Sequence, residues 1–417
     1  MKKIFNIILL ALAVSVAQAQ SISYSQFMQS VVDNNTSYLA EKYNVDIAMA
    51  NVQAAKVFND PELSVEYGNN QDWYMYMGKS IDVGLSYDLD LAGVRRANIR
   101  VAKTEKEITE ASVAAYLCNL RLEASEAWAE AWKLRENVKV LEASVEDMKQ
   151  VAKSDSIRLS VGDVGRTDAT QSKLEAQTLE GELIALKAEY RNALMNLSFL
   201  SGGESITDLS DELLPLHAMP YKEEDIYRLA EANRADLKEA ELSQTLSENN
   251  LRLVKASRAM EMNLSLGYSY NSEVRNEIAP APKFNGLSVG VAIPLKFSSL
   301  NKGEKRAAQH QVLQSQKYYE TALMQVHMEA AQAYNAFLAA NEVLRKYDDE
   351  LLNDAKEIVN SRKVGYQSGD SSLLELLTAQ QTYRDVMQAY IEACGNRYVC
   401  QAQLEYAIGV VSEEMKK

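Results

Sequence analysis

The chain has 417 residues, 24% of them charged, and a formal net charge of −14. That excess of acid argues against nucleic acid as a partner, because neutralising phosphates requires a basic footprint. Three cysteines and three histidines give neither a disulfide framework nor a metal-ligand spacing, and the length suits two or three ordinary domains or one elongated one.

The first residues have the pattern of a secretory signal. Lys2 and Lys3 precede an apolar run from Ile4 to Ala17, and Ala17-Gln18-Ala19 is a small-x-small cleavage site. The expected signal peptide is 1–19 and the mature chain starts at Gln20. No cysteine lies near that site, so no lipid anchor is expected. No later stretch is apolar for the roughly 18 residues that a membrane helix needs. Cys394 and Cys400 stand about 9 Å apart by helix rise, too far for a bridge. We read them and Cys118 as free and buried.

A helix is expected before the first hairpin. Leu63, Val65 and Tyr67 then alternate with Ser64, Glu66 and Gly68. A polar loop with Trp73, Tyr74 and Tyr76 follows. Ile81, Val83, Leu85, Tyr87, Leu89 and Leu91 next alternate with Asp82, Gly84, Ser86, Asp88 and Asp90. This is a hairpin over about 62–91 with one apolar and one polar face. From Val94 to Val161 there is neither glycine nor proline, and strong helix formers dominate. A helix over about 94–160 reaches roughly 100 Å, more than a compact domain holds. Leu117, Leu120, Ala124, Ala127, Ala131, Leu134, Val138 and Leu141 recur in steps of three and four, a coiled-coil seam. A glycine-bearing turn and a helix over about 168–200 complete the unit.

The unit then repeats. "LSVEYG" at 63–68 resembles "LSLGYS" at 264–269, and "GVRRA" at 93–97 resembles "GEKRA" at 303–307. Gly162, Asp168, Leu197 and Gly202 lie 207 positions before Gly369, Glu375, Leu404 and Gly409. The expected domains are a first repeat over 20–201, a linker over 202–221, and a second repeat over 222–417. The second repeat holds a helix, a hairpin over about 263–297, a long helix over about 304–364, a turn and a helix over about 372–408. Pro294 is expected at a strand end or bulge.

Two soluble hairpins packed on helices, or an ordinary long coiled coil, would account for parts of this pattern. The export signal, strands of bilayer-crossing length and hairpins that feed directly into long helices favour a membrane reading. Four strands cannot enclose a lumen, and lipid does not tolerate open sheet edges, so a membrane reading demands an oligomer. At the turns, Asp168 and Glu375 suit helix starts, where the dipole favours negative charge.

The order and spacing of the tandem unit resemble the TolC family of outer-membrane efflux proteins. The strand-to-helix junctions "LAGVRRA" and "LNKGEKRA" and the turns "RLSVGDVGRTDATQSKLE" and "GYQSGDSSLLELLTAQQTY" carry the resemblance. It implies a mainly α fold with a transmembrane β-barrel portion: a homotrimer whose 12-stranded barrel in the outer membrane continues as a long α-helical periplasmic tunnel, with two tandem structural repeats per chain. It also implies a passive export duct for small molecules, fed by an inner-membrane efflux pump through a periplasmic adaptor (a membrane fusion protein), in contact with outer-membrane lipid and without catalytic residues, metal or cofactor. The resemblance places the gate at Glu375, Asp370, Tyr366, Asp168, Thr167 and Arg166, with Asp168 accepting from Tyr366. Adaptor contacts are Arg158, Leu159, Ser160, Gly162, Asp163, Gly365, Ser368 and Gly369. Glu66, Asp82, Asp88 and Asp90 would line the barrel lumen. Ser371 stands where the family archetype carries arginine, and Thr378 where a second acid is expected. The alternative function is a non-conducting structural coiled-coil protein of the periplasm.

Overall fold

The computed structural model describes residues 21–70, 77–212, 214, 216, 222–259, 261–295, 302–347 and 349–410. The expected signal peptide, the loop aromatics Trp73, Tyr74 and Tyr76, most of the seam after 212, and Phe297 lie outside the described residues. The fold divides into two units, each assembled from separated stretches. One comprises Met1–Glu41, Ala114–Ala235 and Met324–Lys417; the other comprises Lys42–Val113 and Asp236–Leu323.

In the first repeat, β1 (Ser21–Ile22), α1 (Tyr24–Asn34) and α2 (Thr36–Ala55) lead to the hairpin β2 (Glu62–Asn69) and β3 (Lys79–Leu89). Helices α3 (Val94–Ser160) and α4 (Arg166–Leu200) follow. The seam holds β4 (Asp208–Leu209). The second repeat runs through α5 (Glu223–Asn233), α6 (Ala235–Ser257), β5 (Met262–Asn271), β6 (Phe284–Ala292), α7 (Gly303–Leu344), α8 (Asp349–Ser368) and α9 (Leu373–Ala407).

Three expectations need correction. The helix before the first hairpin breaks at Asn35, whose extended backbone (ψ 114°) ends α1. Its side chain explains the break: Oδ1 accepts from the Tyr38 amide at 2.9 Å, and Nδ2 donates to the Leu200 carbonyl at 3.0 Å. The second long helix is not continuous over 304–364, because turn residues after Leu344 separate α7 from α8. There the Lys346 N–H bonds to the Val343 carbonyl and the Tyr347 N–H to the Leu344 carbonyl, both at 3.0 Å, i→i+3 bonds that tighten the end of α7. Asp90 lies beyond the end of β3 and does not line the polar strand face. Its carboxylate accepts the Val94 and Arg95 amides at 2.8 and 2.9 Å, the first orphan donors of α3. Pro294 falls just past β6, where its missing donor costs no ladder bond.

The first unit packs around aromatic residues of α1, α3 and α9. Phe27 stacks on Trp128 at 5.4 Å, and Tyr24 meets Trp128 and Tyr398 edge-on at 5.6 and 5.8 Å. Lys149–Glu180 at 2.5 Å and Lys187–Glu142 at 2.6 Å pair α3 with the returning α4. The seam strand pairs in parallel with β1. It is clasped by buried Arg135, which donates to the Leu209 and Ser210 carbonyls, and by Tyr190, whose hydroxyl donates to Asp208 at 2.6 Å. Cys394 and Cys400 are buried and free; Cys118 is only half-buried, short of the expected burial.

In the second unit the strands form one antiparallel sheet in the order β2-β3-β5-β6. In the same unit, Asn249 Nδ2 donates to Thr104 Oγ1 at 3.0 Å in the buried contact between α6 and α3.

The landmarks that recur at a constant offset have a shared backbone cause. Gly202 and Gly409 take left-handed angles, φ 82° and 67°, at the ends of α4 and α9. Each closes a Schellman turn: Gly203 N–H bonds to the Ser198 carbonyl at 2.8 Å, and Val410 N–H to the Glu405 carbonyl at 3.0 Å. A Cβ on Gly202 would collide with the backbone of Asn34, and one on Gly409 with the backbone of Asn233. Each repeat thus ends by seating a glycine on the last residue of its own first helix.

Gly202→Ala combines a left-handed backbone with a backbone collision, so it should lower unfolding free energy by more than about 1 kcal/mol, read as a fall in thermal midpoint in detergent. Asp90→Ala should cost about 1 kcal/mol by the same measurement, through loss of the cap on α3. An unchanged midpoint would mean that the cap contributes nothing there.

Candidate functional site

The two turns after α3 and α8 are built alike. Gly162 (φ 78°) and Gly369 (φ 86°) each occupy the left-handed position. Asp163 N–H bonds to the Arg158 carbonyl at 2.9 Å, and Asp370 N–H to the Gly365 carbonyl at 2.8 Å. Gly365, Tyr366 and Ser368 belong to α8 itself rather than to the turn. Gly365 is small because Ser371 folds back onto it; a Cβ there would meet Ser371 Oγ at 2.5 Å.

The helix starts differ. Ser372 and Glu375 form a reciprocal capping box on α9: Glu375 N–H donates to Ser372 Oγ, and Ser372 N–H to Glu375 Oε2, both at 3.3 Å. Arg362 also reaches Glu375 at 3.4 Å. At the start of α4 the cap position is Gly165, with no side-chain cap. Asp168 therefore sits in the first turn as a dipole-facing charge. Arg166, Thr167, Asp168, Asp370 and Glu375 are all exposed.

Tyr366 is buried, and it does not bond to Asp168. Its hydroxyl donates to Asp155 Oδ1 at 2.8 Å. Asp155 is fully buried on α3, one helical turn before Arg158. The correction has a geometric reason. Tyr366 lies within α8 and packs into a core with Val145, Met148, Val151, Leu179, Leu373 and Leu376, so its ring runs inward along α3. Burial, then the bond to Asp155 and the charge of Asp155, push the Tyr366 hydroxyl well above its ordinary range, which keeps it a proton donor. Asp155 Oδ2 accepts no hydrogen bond among the described residues. Arg158 completes the group. Its Nε donates to Asp163 Oδ2 at 2.6 Å, its Nη1 to the Tyr366 carbonyl at 3.3 Å, and its guanidinium lies 5.6 Å from the Tyr366 ring centre.

Asp155 was missed at the level of sequence, where an acid inside a long helix reads as a solvated face. Its position three residues before Arg158, at the end of an uninterrupted helix, is the signal that places both over one neighbouring element.

The sheet separates two chemistries by register. On one face, Leu63, Leu85, Leu266 and Val289 align across the four strands, as do Val65, Val83, Tyr268 and Leu287. This face has no cover among the described residues, with Leu287 88% and Val289 80% exposed. On the other face, Ser64, Gly84, Gly267 and Ser288 align, and Glu66, Asp82, Ser269 and Gly286. Serine hydroxyls lie over the glycines of neighbouring strands, as Ser64 does over Gly84 and Ser265 over Gly290. Asp88 is exposed and accepts from Asn263 Nδ2 at 2.7 Å. Glu62 shares this face by the same alternation, a lumen candidate missed earlier.

Among the described residues no helix is long and apolar enough to cross a membrane, which says nothing of strands. No group of three or more His, Cys, Asp or Glu side chains among them could hold a metal ion.

Comparison with known proteins fits this architecture. The chain is 22% identical to the cobalt-zinc-cadmium resistance protein CzcC of Cupriavidus metallidurans over 377 residues, 90% of this chain and 87% of that one. It is 19% identical to the outer membrane protein TolC of Vibrio cholerae, over 92% of this chain and 89% of that one. Its fold superposes on the crystal structure of CusC with a TM-score of 0.77 at 17% identity, over 95% and 96% of the two chains. The model of the family described as Outer membrane efflux protein matches residues 27–203 and 226–410, one stretch per repeat. The chain belongs to the outer membrane efflux protein family, and its place is the outer membrane, with a helical tunnel in the periplasm.

Proposed function

We propose that three copies of this chain form a passive duct that exports small molecules across the outer membrane. The observation that carries this reading is the sheet. Its apolar face is open, and β2 and β6 are edges with no strand partner among the described residues. In hydrocarbon each unpaired backbone group costs several kcal/mol. Pairing β6 of one copy with β2 of the next removes both edges and closes a barrel of 12 strands. The apolar face then meets lipid. The Gly/Ser face, small enough to bend inward, lines a wet lumen with Glu62, Glu66, Asp82 and Asp88.

The helical hairpins extend the lumen as a periplasmic tunnel whose far end is closed at the two turns. The energy comes from an inner-membrane pump, and a periplasmic adaptor joins pump to duct. Leu159, Ser160, Gly162, Asp163, Ser368 and Gly369 are exposed there and suit adaptor contact. Gly365 contributes backbone only, because Ser371 covers it. Glu375, Asp370 and Asp168, present once per copy, form acidic rings around the closed end, which attract cations as acidic rings do in pores. An acidic lumen disfavours anions, so the cargo is neutral or cationic. CzcC, named for resistance to three metal cations, fits that expectation.

Single-channel recording on purified protein in a planar bilayer tests the duct. Discrete, cation-selective conductance is expected. A protein that inserts or binds without conducting would instead be a structural coiled coil. Glu375→Gln separates charge from cap, because glutamine at this position retains a capping box. Its thermal midpoint should match the parent while cation selectivity falls; unchanged selectivity would remove Glu375 from the ring.

A further inference from the structure

The net charge of −14 hides a local reversal next to the sheet. From Val94 to Thr104 in α3, and from Leu251 to Ser257 in α6, there is no acid. These stretches carry Arg95, Arg96, Arg100, Lys103, Arg252 and Lys255, all in the unit that also holds the sheet. Arg95 turns back to the Lys56 carbonyl at 3.1 Å. The other five are exposed, and none forms an ion pair among the described residues. Lys106, paired with Glu110 at 2.6 Å, is the first basic residue of α3 that does.

Handedness fixes the side they occupy. Set the sheet above the helices, with β2 at the right and its chain rising. A residue of a rising strand that faces the viewer points its N–H and C=O to the right. The Asn70 N–H, just past β2, points left to the Gly78 carbonyl. Even-numbered Ser64 and Glu66 therefore face away, and Leu63, Val65 and the rest of the apolar face look at the viewer. Below, α3 descends with α2 on its right and α6 on its left. Ala102 lines the groove against α2, and Thr104 meets Asn249 of α6. A descending right-handed helix crosses its front from right to left, so Lys103 is in front and Glu105 behind. Arg96 and Arg100, seven and three residues earlier, share that front. From Asn249, the rising α6 brings Arg252 and Lys255 to the same side.

We propose that these five cations form a binding surface for the anionic phosphate headgroups of phospholipids in the leaflet facing the periplasm. The proposal rests on the reading that the apolar sheet face meets lipid, because the cations lie directly below that face. Phe58 and Leu91, 58% and 63% exposed, stand at the junction between sheet and helices. From Arg96 to Lys103 the helix rises about 10 Å, comparable to a headgroup layer of roughly 5–8 Å. Acids resume beyond, at Glu107 on α3 and Glu248 on α6. Within the chain alone the arrangement is unfavourable. Arg96 and Arg100 are like charges one turn apart, and α3 has no acid in its first turn, the end where its dipole disfavours cations. Phosphate offsets both, and arginine can hold it with two parallel bonds.

The test is electron spin resonance of the whole protein in phosphatidylcholine bilayers carrying a trace of spin-labelled phosphatidylglycerol or spin-labelled phosphatidylcholine. The motionally restricted fraction measures lipid held at the protein surface. At low salt the labelled phosphatidylglycerol should associate several-fold more strongly than the labelled phosphatidylcholine. The preference should fade at about 1 M salt, where the screening length is about 3 Å. Arg96→Gln, Arg100→Gln, Lys103→Gln, Arg252→Gln and Lys255→Gln together should abolish it, with helicity and the restricted phosphatidylcholine fraction unchanged. Equal association of the two labels with the parent overturns the proposal. So does a preference that resists salt or survives the five replacements. Absence of restricted lipid of either kind overturns the lipid-facing sheet instead, and the two failures are distinct.

Discussion

The end of every helix leaves carbonyls that the helix cannot satisfy, and this chain solves that problem in one way four times. Gly162, Gly202, Gly369 and Gly409 each adopt left-handed angles and turn the next amides back onto the last carbonyls. The solution fixes where the long helices stop. It also fixes the direction in which α4 and α9 return, and so which side chains face each other across α3, α8 and their partners. Salt bridges such as Lys149–Glu180 follow from that register rather than creating it; exposed pairs of this kind contribute only about 0–1 kcal/mol each.

The sheet depends on a different constraint, the strict period of two. Slipping β3 by one residue would move Asp82 and Asp88 onto the apolar face and Leu85 onto the polar one. The register is held by side chains as well as by the ladder, since each glycine on the polar face lies beside a serine of the adjoining strand. Larger residues at those positions would crowd a face that has to curve inward. Glu66 opposite Asp82 is an unfavourable like-charge pair, and its presence is easier to understand on a face bathed in water than in a packed core.

Much of the fold was legible because its signals are long. An uninterrupted run from Val94 to Val161 admits little but helix, and alternation over six residue pairs admits little but strand. What escaped was decided by single side chains. The break at Asn35 depends on an amide that bonds in two directions. The role of Asp90 depends on where β3 ends, at Leu89, two residues earlier than alternation alone suggested. At the tip, the glycine spacing identified both turns; the spacing of Asp155 to Arg158 puts both over one neighbouring element, but it does not reveal that a tyrosine distant in sequence buries against the acid.

The two turns show how a duplicated unit acquires a function that neither copy has alone. Their backbones match, and the repeat offset aligns Asp163 with Asp370. Asp155, Arg158 and Leu159 of the first copy correspond to Arg362, Gly365 and Tyr366 of the second. The first copy supplies the acceptor and the guanidinium. The second supplies the ring, and a glycine where a second arginine would obstruct Ser371. At the helix starts, Gly165 corresponds to Ser372, so Glu375 is committed to a capping box and Asp168 is not. Symmetric copies would place like groups against like. Divergence at these few positions instead lets one hairpin hold the other, while the common glycine turns keep both at the same level.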